Sequence, residues 1–330
     1  MKKLLAIMIA AAMLLTFAAC NPDEDPVSPP ANDVGNNDNN NNNNNNQADT
    51  EDNTLEVDEE EGEQDAITGA IAVITREDGS GTRGAFVELF DVRIENAEGK
   101  KVDDVRPDAD VQNATGAVIG AVAGNKQAIG YISLGSLDDK VKALKIDGAE
   151  ASVENVLNGS YTIKRPFNIV TSVDGISDAA QDFINFIMSD EGQAVITNEK
   201  CISEGSTGPF VSNGKAGAVI IDGSSSVSPV MTKLKEAYEA LVDGADIEIQ
   251  TTDSGTGVTS TINGGCDIGM VSRELKDEEL EQGIEDLVIC LDGIAVIVHV
   301  DNPFSDATKD QIKAIFQDEG DITKWEELDG

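Results

Sequence analysis

Basic side chains are scarce. The 330-residue chain has 23 Lys and Arg against 62 Asp and Glu, a formal net charge of −39. Nucleic acids are bound through cationic surfaces, so this balance excludes a nucleic-acid partner, and it disfavours docking on an anionic lipid surface for the same reason. Histidine is limited to His299, inside the apolar run VIVHVDN, where a core or strand-end imidazole is the expected role. One imidazole limits general-base and zinc chemistry. No metal-ligand spacing, G-x-S-x-G elbow, P-loop lysine or HExxH occurs, so no catalytic residue, metal or cofactor is expected. Aromatic residues make up only 4%, yet a hydrophobic fraction of 40% is enough for a sizeable core.

The one long apolar run stands at the start. Lys2 and Lys3 precede Leu4 to Ala19, and the run stops at Cys20. It is too short for a stable span and has the layout of an export signal, residues 1–20. LTFAAC looks like a lipobox, which predicts lipidation of Cys20, a lipid-anchored membrane attachment and an extracytoplasmic address. Residues 21–66 hold 15 acidic and no basic residues and the Asn run Asn39 to Asn46. They cannot bury enough apolar surface to offset chain entropy and are expected to form a disordered tether. Without the tether's acids and the two signal lysines, residues 67–330 still carry 21 basic and 47 acidic residues, a net −26. Cys201, Cys266 and Cys290 remain. A disulfide between two of them is open from sequence, and Cys266 and Cys290 also read as small buried apolar residues.

Beyond residue 66, short apolar runs alternate with amphipathic segments. The runs are 70–76, 128–134, 167–170, 218–221, 266–271 and 287–300, and helical spacing occurs at 179–188, 230–241 and 309–316. This alternation predicts an α/β protein with largely parallel sheets, in two lobes. Three junctions place glycines and hydroxyl side chains where a helix should begin: TREDGSGTRG at 75–84, DGSSSVSP at 222–229 and TTDSGTGV at 251–258. Helix starts offer unpaired N–H groups and a partial positive charge, so they bind anions, and glycine permits close backbone approach. Each could equally be an ordinary N-cap. Convergence of all three on one oxyanion is the sharper reading.

REDGSGTRGAF at 76–86 resembles the signature of the phosphate-binding proteins that serve bacterial phosphate ABC importers. DGSSSVSPVM, DSGTGVTSTINGGCDIGMVSREL and DGIAVIVHVDNPFSDATKDQIKAIFQDEGDITKWEEL are similar to the family's other blocks. The resemblance implies a two-lobe, periplasmic-binding-protein-like fold of type II that closes over one phosphate and presents it to ABC permease subunits. It implies that Arg76 supplies a cationic fork and that Ser80, Gly81, Thr82, Ser225, Ser226, Ser254 and, less directly, Ser272 donate hydroxyl or backbone hydrogen bonds. Asp78 would accept the proton of hydrogen phosphate, which sulfate cannot offer. A second aspartate that some members place after the DIGMVS-like block is not evident. Arg273 stands there, within reach of Asp78 or Glu274.

The block order departs from the family. The REDGSGT half, 67–203, precedes the DGSSSVSP half, 217–330, as in a circularly permuted chain whose usual ends are joined through the linker 204–216. A domain-swapped dimer is the competing account. The alternatives for function are a phosphate sensor or surface protein without a transport role, and a binding protein for another tetrahedral oxyanion.

Overall fold

The computed structural model describes residues 67–328; the expected signal segment with Cys20 and the tether 21–66 lie outside the described residues. The first stretch contains β1 (Ala72–Arg76), α1 (Gly81–Leu89), β2 (Arg93–Glu95), β3 (Lys101–Asp103), β4 (Asp110–Gln112), α2 (Thr115–Ala123), β5 (Ala128–Ser133), β6 (Val141–Ala143), β7 (Lys145–Ile146) and α3 (Val153–Leu157). The second contains β8 (Lys164–Ser172), α4 (Asp178–Ile187), α5 (Asp190–Asn198), β9 (Ala218–Ser224), α6 (Ser228–Glu239), β10 (Asp246–Thr252), α7 (Ser254–Ile262), β11 (Ile268–Val271), α8 (Asp277–Leu280) and β12 (Ile284–His299). β13 (Asp306–Ala307), α9 (Lys309–Phe316) and a 3-10 turn at Trp325–Glu327 complete the described chain.

The two largest of four apolar clusters mark two lobes. One joins residues of 71–163 to residues of 294–328 and gathers Phe86, Tyr131, Phe316 and Trp325. The other draws on 167–290 and gathers Phe167, Phe183, Phe186 and Tyr238. The sparse aromatics are thus spent in the two interiors, where burying one contributes roughly 1.5–3 kcal/mol. Neither expected half, 67–203 or 217–330, coincides with a lobe, because each core takes elements from both.

The strands run in the order β10-β9-β11-β8-β12-β5-β1-β4, with β6 also on β12. β9 pairs in parallel with β10 and β11, and β1 in parallel with β4 and β5. β8 and β12 are antiparallel to their neighbours, so the sheet is mixed rather than largely parallel. The antiparallel β12 is 16 residues long and crosses from one lobe to the other. Ile284–Gly293 pairs with β8, and Ile294–Val298 pairs with β5.

Where the strands cross, two charges are buried together. Arg165 Nε and Nη2 donate to Asp292 Oδ2 at 3.1 and 3.0 Å, and Ser133 Oγ donates to Asp292 Oδ1 at 2.8 Å. The two ends of the described chain also meet, since Ile71 N donates to Thr323 O and Trp325 N to Gly69 O. The expected linker is docked rather than free. Asp182 on α4, fully buried, accepts from Ser212 Oγ, Asn213 N and Tyr238 Oη, and Phe210 packs edge-on against Phe186.

Candidate functional site: a buried cluster of hydroxyls and helix starts

Four strand-to-helix junctions meet at the boundary of the lobes. β1 delivers Arg76 and then the start of α1, whose N-cap is Ser80. α2 begins at Thr115. From the other lobe, β9 ends in Ser224 and leads through Ser225 and Ser226 into α6, while α7 begins at Ser254 behind its N-cap Asp253. Ser272 follows β11. The serines sit on such junctions for a local reason: short hydroxyl side chains bond nearby backbone groups and so favour helix starts over helix interiors.

The cluster crosses the lobe boundary by hydrogen bonds. Thr82 Oγ1 lies 2.7 Å from Ser226 Oγ. Thr115 Oγ1 lies 3.2 Å from Ser226 Oγ and 3.4 Å from Ser225 Oγ. Arg76 Nη2 donates to Ser225 Oγ at 3.1 Å. Ser272 Oγ accepts from Ser224 Oγ at 2.9 Å and lies 3.3 Å from Ser254 Oγ. Gly81 closes the group, because a Cβ there would strike the hydroxyls of Ser254 and Ser272. The junctions also touch through the backbone, where Gly255 N donates to Gly79 O at 3.1 Å.

Arg76, Ser80, Thr82, Thr115, Ser224, Ser225, Ser226, Ser254 and Ser272 are all buried. The starts of α2 and α6 carry no side-chain cap, Ala114 and Val227 standing at their N-cap positions. At α2 the Thr115 N–H donates only over 3.4 Å to Ser225 Oγ, and at α6 Pro229 in the first turn brings no N–H, so these two starts offer few but weakly engaged donors. Arg76 supplies the cluster's cationic group. Glu77 grips its outer edge, with Nε–Oε2 at 2.8 Å and Nη2–Oε1 at 2.7 Å, a fork-to-fork pairing that fixes the guanidinium plane. Tyr131 supports the same strand end, its hydroxyl bonded to Thr75 Oγ1 and accepting Arg76 N; burial pushes its phenol up to about 12. Behind Ser272, Arg165 Nη1 donates to the Ser272 carbonyl at 3.0 Å, which links the cluster to the buried Arg165–Asp292 pair.

The sequence-predicted residues Arg76, Gly81, Thr82, Ser225, Ser226, Ser254 and Ser272 come together here. Ser80 adjoins them, its hydroxyl accepting Arg83 N at 3.3 Å as the α1 cap. Asp78 does not join them: its side chain is 97% exposed and lies 3.1 Å from Arg83 Nη1. The carboxylate beside Arg76 is Glu77. Arg273 pairs with neither Asp78 nor the Glu274 carboxylate, but with Glu279 through two 2.8 Å bonds. Sequence reasoning missed Thr115, Ser224 and the role of Glu77. For Thr115 a signal was present in VQNATGAVIG, a fourth junction of the same kind. Its helix is uniformly apolar and lacks the serine–glycine pattern of the others. His299 ends β12, where Nδ1 accepts Asp301 N at 3.1 Å.

A cluster of N–H and O–H donors with one fixed guanidinium, walled from water by two lobes, is chemically an oxyanion receptor. Comparison with known proteins agrees in kind. A model of the PBP superfamily domain matches residues 41–191 and 210–330. Phosphate-binding protein PstS 2 of Streptococcus agalactiae is 46% identical over 260 residues, covering 79% of this chain and 88% of its own length. Phosphate-binding protein PstS 2 of Streptococcus pneumoniae is 44% identical over 264 residues, covering 80% and 89%. The crystal structure of a phosphate ABC transporter, phosphate-binding protein from Streptococcus pneumoniae superposes with a TM-score of 0.62 at 44% identity, covering 79% of this chain and 100% of that one.

Proposed function

Because the chain belongs to the phosphate-binding proteins of the PBP superfamily, we propose that it binds inorganic phosphate outside the cytoplasm and delivers it to the permease subunits of an ABC importer. Phosphate ABC substrate-binding proteins are extracytoplasmic, and the relatives are binding proteins rather than enzymes. The observation that carries the reading is the meeting of four helix starts from two lobes around Arg76. Arg76 is the cationic contact, held in plane by Glu77. The N–H and O–H groups of Gly81, Thr82, Ser225, Ser226 and Ser254 donate, Thr115 joins them, and Ser80 and Ser272 complete the ring. Closure of the lobes over the anion is the signal offered to the permease. Asp78 has no part in contacting the ligand, so selectivity against sulfate rests on other groups.

Calorimetric titration of the purified protein with phosphate, and separately with sulfate, tests the reading. One-to-one phosphate binding supports it, and no heat with a folded protein sinks it.

The address is completed by Cys20, which we assign as the lipidated N-terminus of the mature protein. Cys20→Ala should move the protein from the membrane fraction to the soluble extracytoplasmic fraction; unchanged fractionation would remove the anchor. The block order is that of a circular permutation. One feature supports it: the ends of the described chain are hydrogen-bonded neighbours.

A further inference from the structure

The described residues include three buried cysteines, Cys201, Cys266 and Cys290. Cys266 stands apart, its sulfur 3.4 Å from Thr261 Oγ1. Cys201 and Cys290 share the core of the second lobe. Their neighbours Ile202 and Leu291 form an antiparallel bridge closed by two 2.8 Å N–H···O bonds. The register of β12 shifts between Val288 and Cys290, beside this bridge, and the antiparallel pairing of Ile202 with Leu291 makes Cys201 and Cys290, both free thiols here, diagonal neighbours across the two segments.

We propose that Cys201 and Cys290 are joined by a disulfide in the exported protein. The bond would tie the chain, at the point where it leaves α5 for the linker, to the strand that runs through both lobes. Asp292 of the buried Arg165–Asp292 pair is two residues further along that strand. The inference rests on the extracytoplasmic address and not on the ligand.

The chemistry is thiol–disulfide exchange with a protein or small-molecule disulfide as oxidant. One Cys thiolate attacks the oxidant's disulfide and releases one of its thiols. The second Cys thiolate then attacks the mixed disulfide and releases the other. Two electrons pass to the oxidant, and the two protons lost by the cysteines end on its two thiols. The exchange belongs to the folding stage. In the folded protein the neighbouring Cys201 thiol, together with burial, pushes the Cys290 thiol up and withholds the thiolate that exchange needs. The bond closes a loop with 88 residues between the two cysteines. Loops of that length restrict the unfolded chain strongly, and the expected gain in melting temperature is on the order of 10 °C.

Two preparations of the full chain test this. The first is exported by a bacterial host, denatured in excess alkylating reagent without reductant, digested and analysed by mass. The Cys201 and Cys290 peptides should be found linked and Cys266 alkylated; alkylation of both Cys201 and Cys290 overturns the proposal. The second is made reduced and refolded with and without a glutathione redox buffer, which tests the pairing independently of cellular address. Linkage and the rise in melting temperature should appear with the buffer, vanish in Cys201→Ser and Cys290→Ser, and persist in Cys266→Ser. No linkage in the buffer overturns the pairing. Linkage in the buffer but not in the exported chain overturns its formation in the cell, while leaving phosphate binding by either preparation untouched.

Discussion

Arg76 ends β1 and Asp78 lies two positions beyond it, yet the side chain of one is 2% exposed and that of the other 97%. The chain turns between them into α1, so alternate residues face opposite ways, and the cation alone enters the cluster. Arg76→Ala should lower phosphate affinity by at least about tenfold, or about 1.4 kcal/mol, in a calorimetric titration. Part of that loss is the Glu77 carboxylate left unpaired beside an anion. The double variant Arg76→Ala, Glu77→Gln should therefore bind better than Arg76→Ala alone, and equal affinities would show that the unpaired carboxylate takes no part in the loss. Asp78→Asn should leave the phosphate-to-sulfate affinity ratio unchanged; a ratio that collapses would return Asp78 to the site. At this scale the sequence was legible wherever a small hydroxyl or glycine marked a helix start, because few other residues suit that position. It was not legible for Asp78, since the direction of one side chain in a turn depends on tertiary packing. Thr115 was hidden by an apolar helix that looked like core alone.

Helix starts only form a site if they can approach one another, and two glycines set that distance. Cβ atoms at Gly79 and Gly81 would meet Asp253 in the first case and Ser254 and Ser272 in the second, all on the opposite lobe. Gly81 is the first residue of α1, and alanine is a better helix former than glycine by about 1 kcal/mol. Gly81→Ala should thus leave the unfolding midpoint unchanged or slightly raised while weakening phosphate binding by about tenfold or more. A parallel loss of stability and affinity would mean that the glycine serves the fold instead. The crossing strands make the matching demand from behind. Asp292→Asn leaves Arg165 a buried charge with half its partners gone, which should cost about 3–5 kcal/mol in urea unfolding. The strands that carry these contacts, β1, β5, β8, β9, β11 and β12, were visible as apolar runs because both of their faces are covered. β2, β3, β4 and β10 were not, because their sequences RIE, KVD, DVQ and DIEIQTT are exposed at many positions. The helical spacing at 179–188 becomes α4, and α5, which that spacing did not mark, follows at once behind its cap Ser189.

For the molecule as a whole, the question is whether chain order matters to the fold. One lobe is built from both ends of the described chain, 71–163 and 294–328, and the other from its middle. The ends already touch through Gly69 and Trp325, while the middle lobe holds the linker by Asp182 and Phe210. Cutting the linker at Val211, 82% exposed, and joining Gly330 to Ile67 would convert one block order into the other. Such cuts are tolerated where no buried backbone bond is lost. The rearranged protein should therefore be monomeric by light scattering and bind phosphate within about threefold of the original, under 1 kcal/mol. The linker clasp predicts one cost. Severing residues 204–216 frees the segment whose Ser212 and Asn213 satisfy the buried Asp182 carboxylate, and an unsatisfied buried acceptor costs about 1–3 kcal/mol. A lower melting temperature with an intact site would fit this picture. A dimer, or lost binding in a folded monomer, would show that the observed chain order is needed to assemble the cleft.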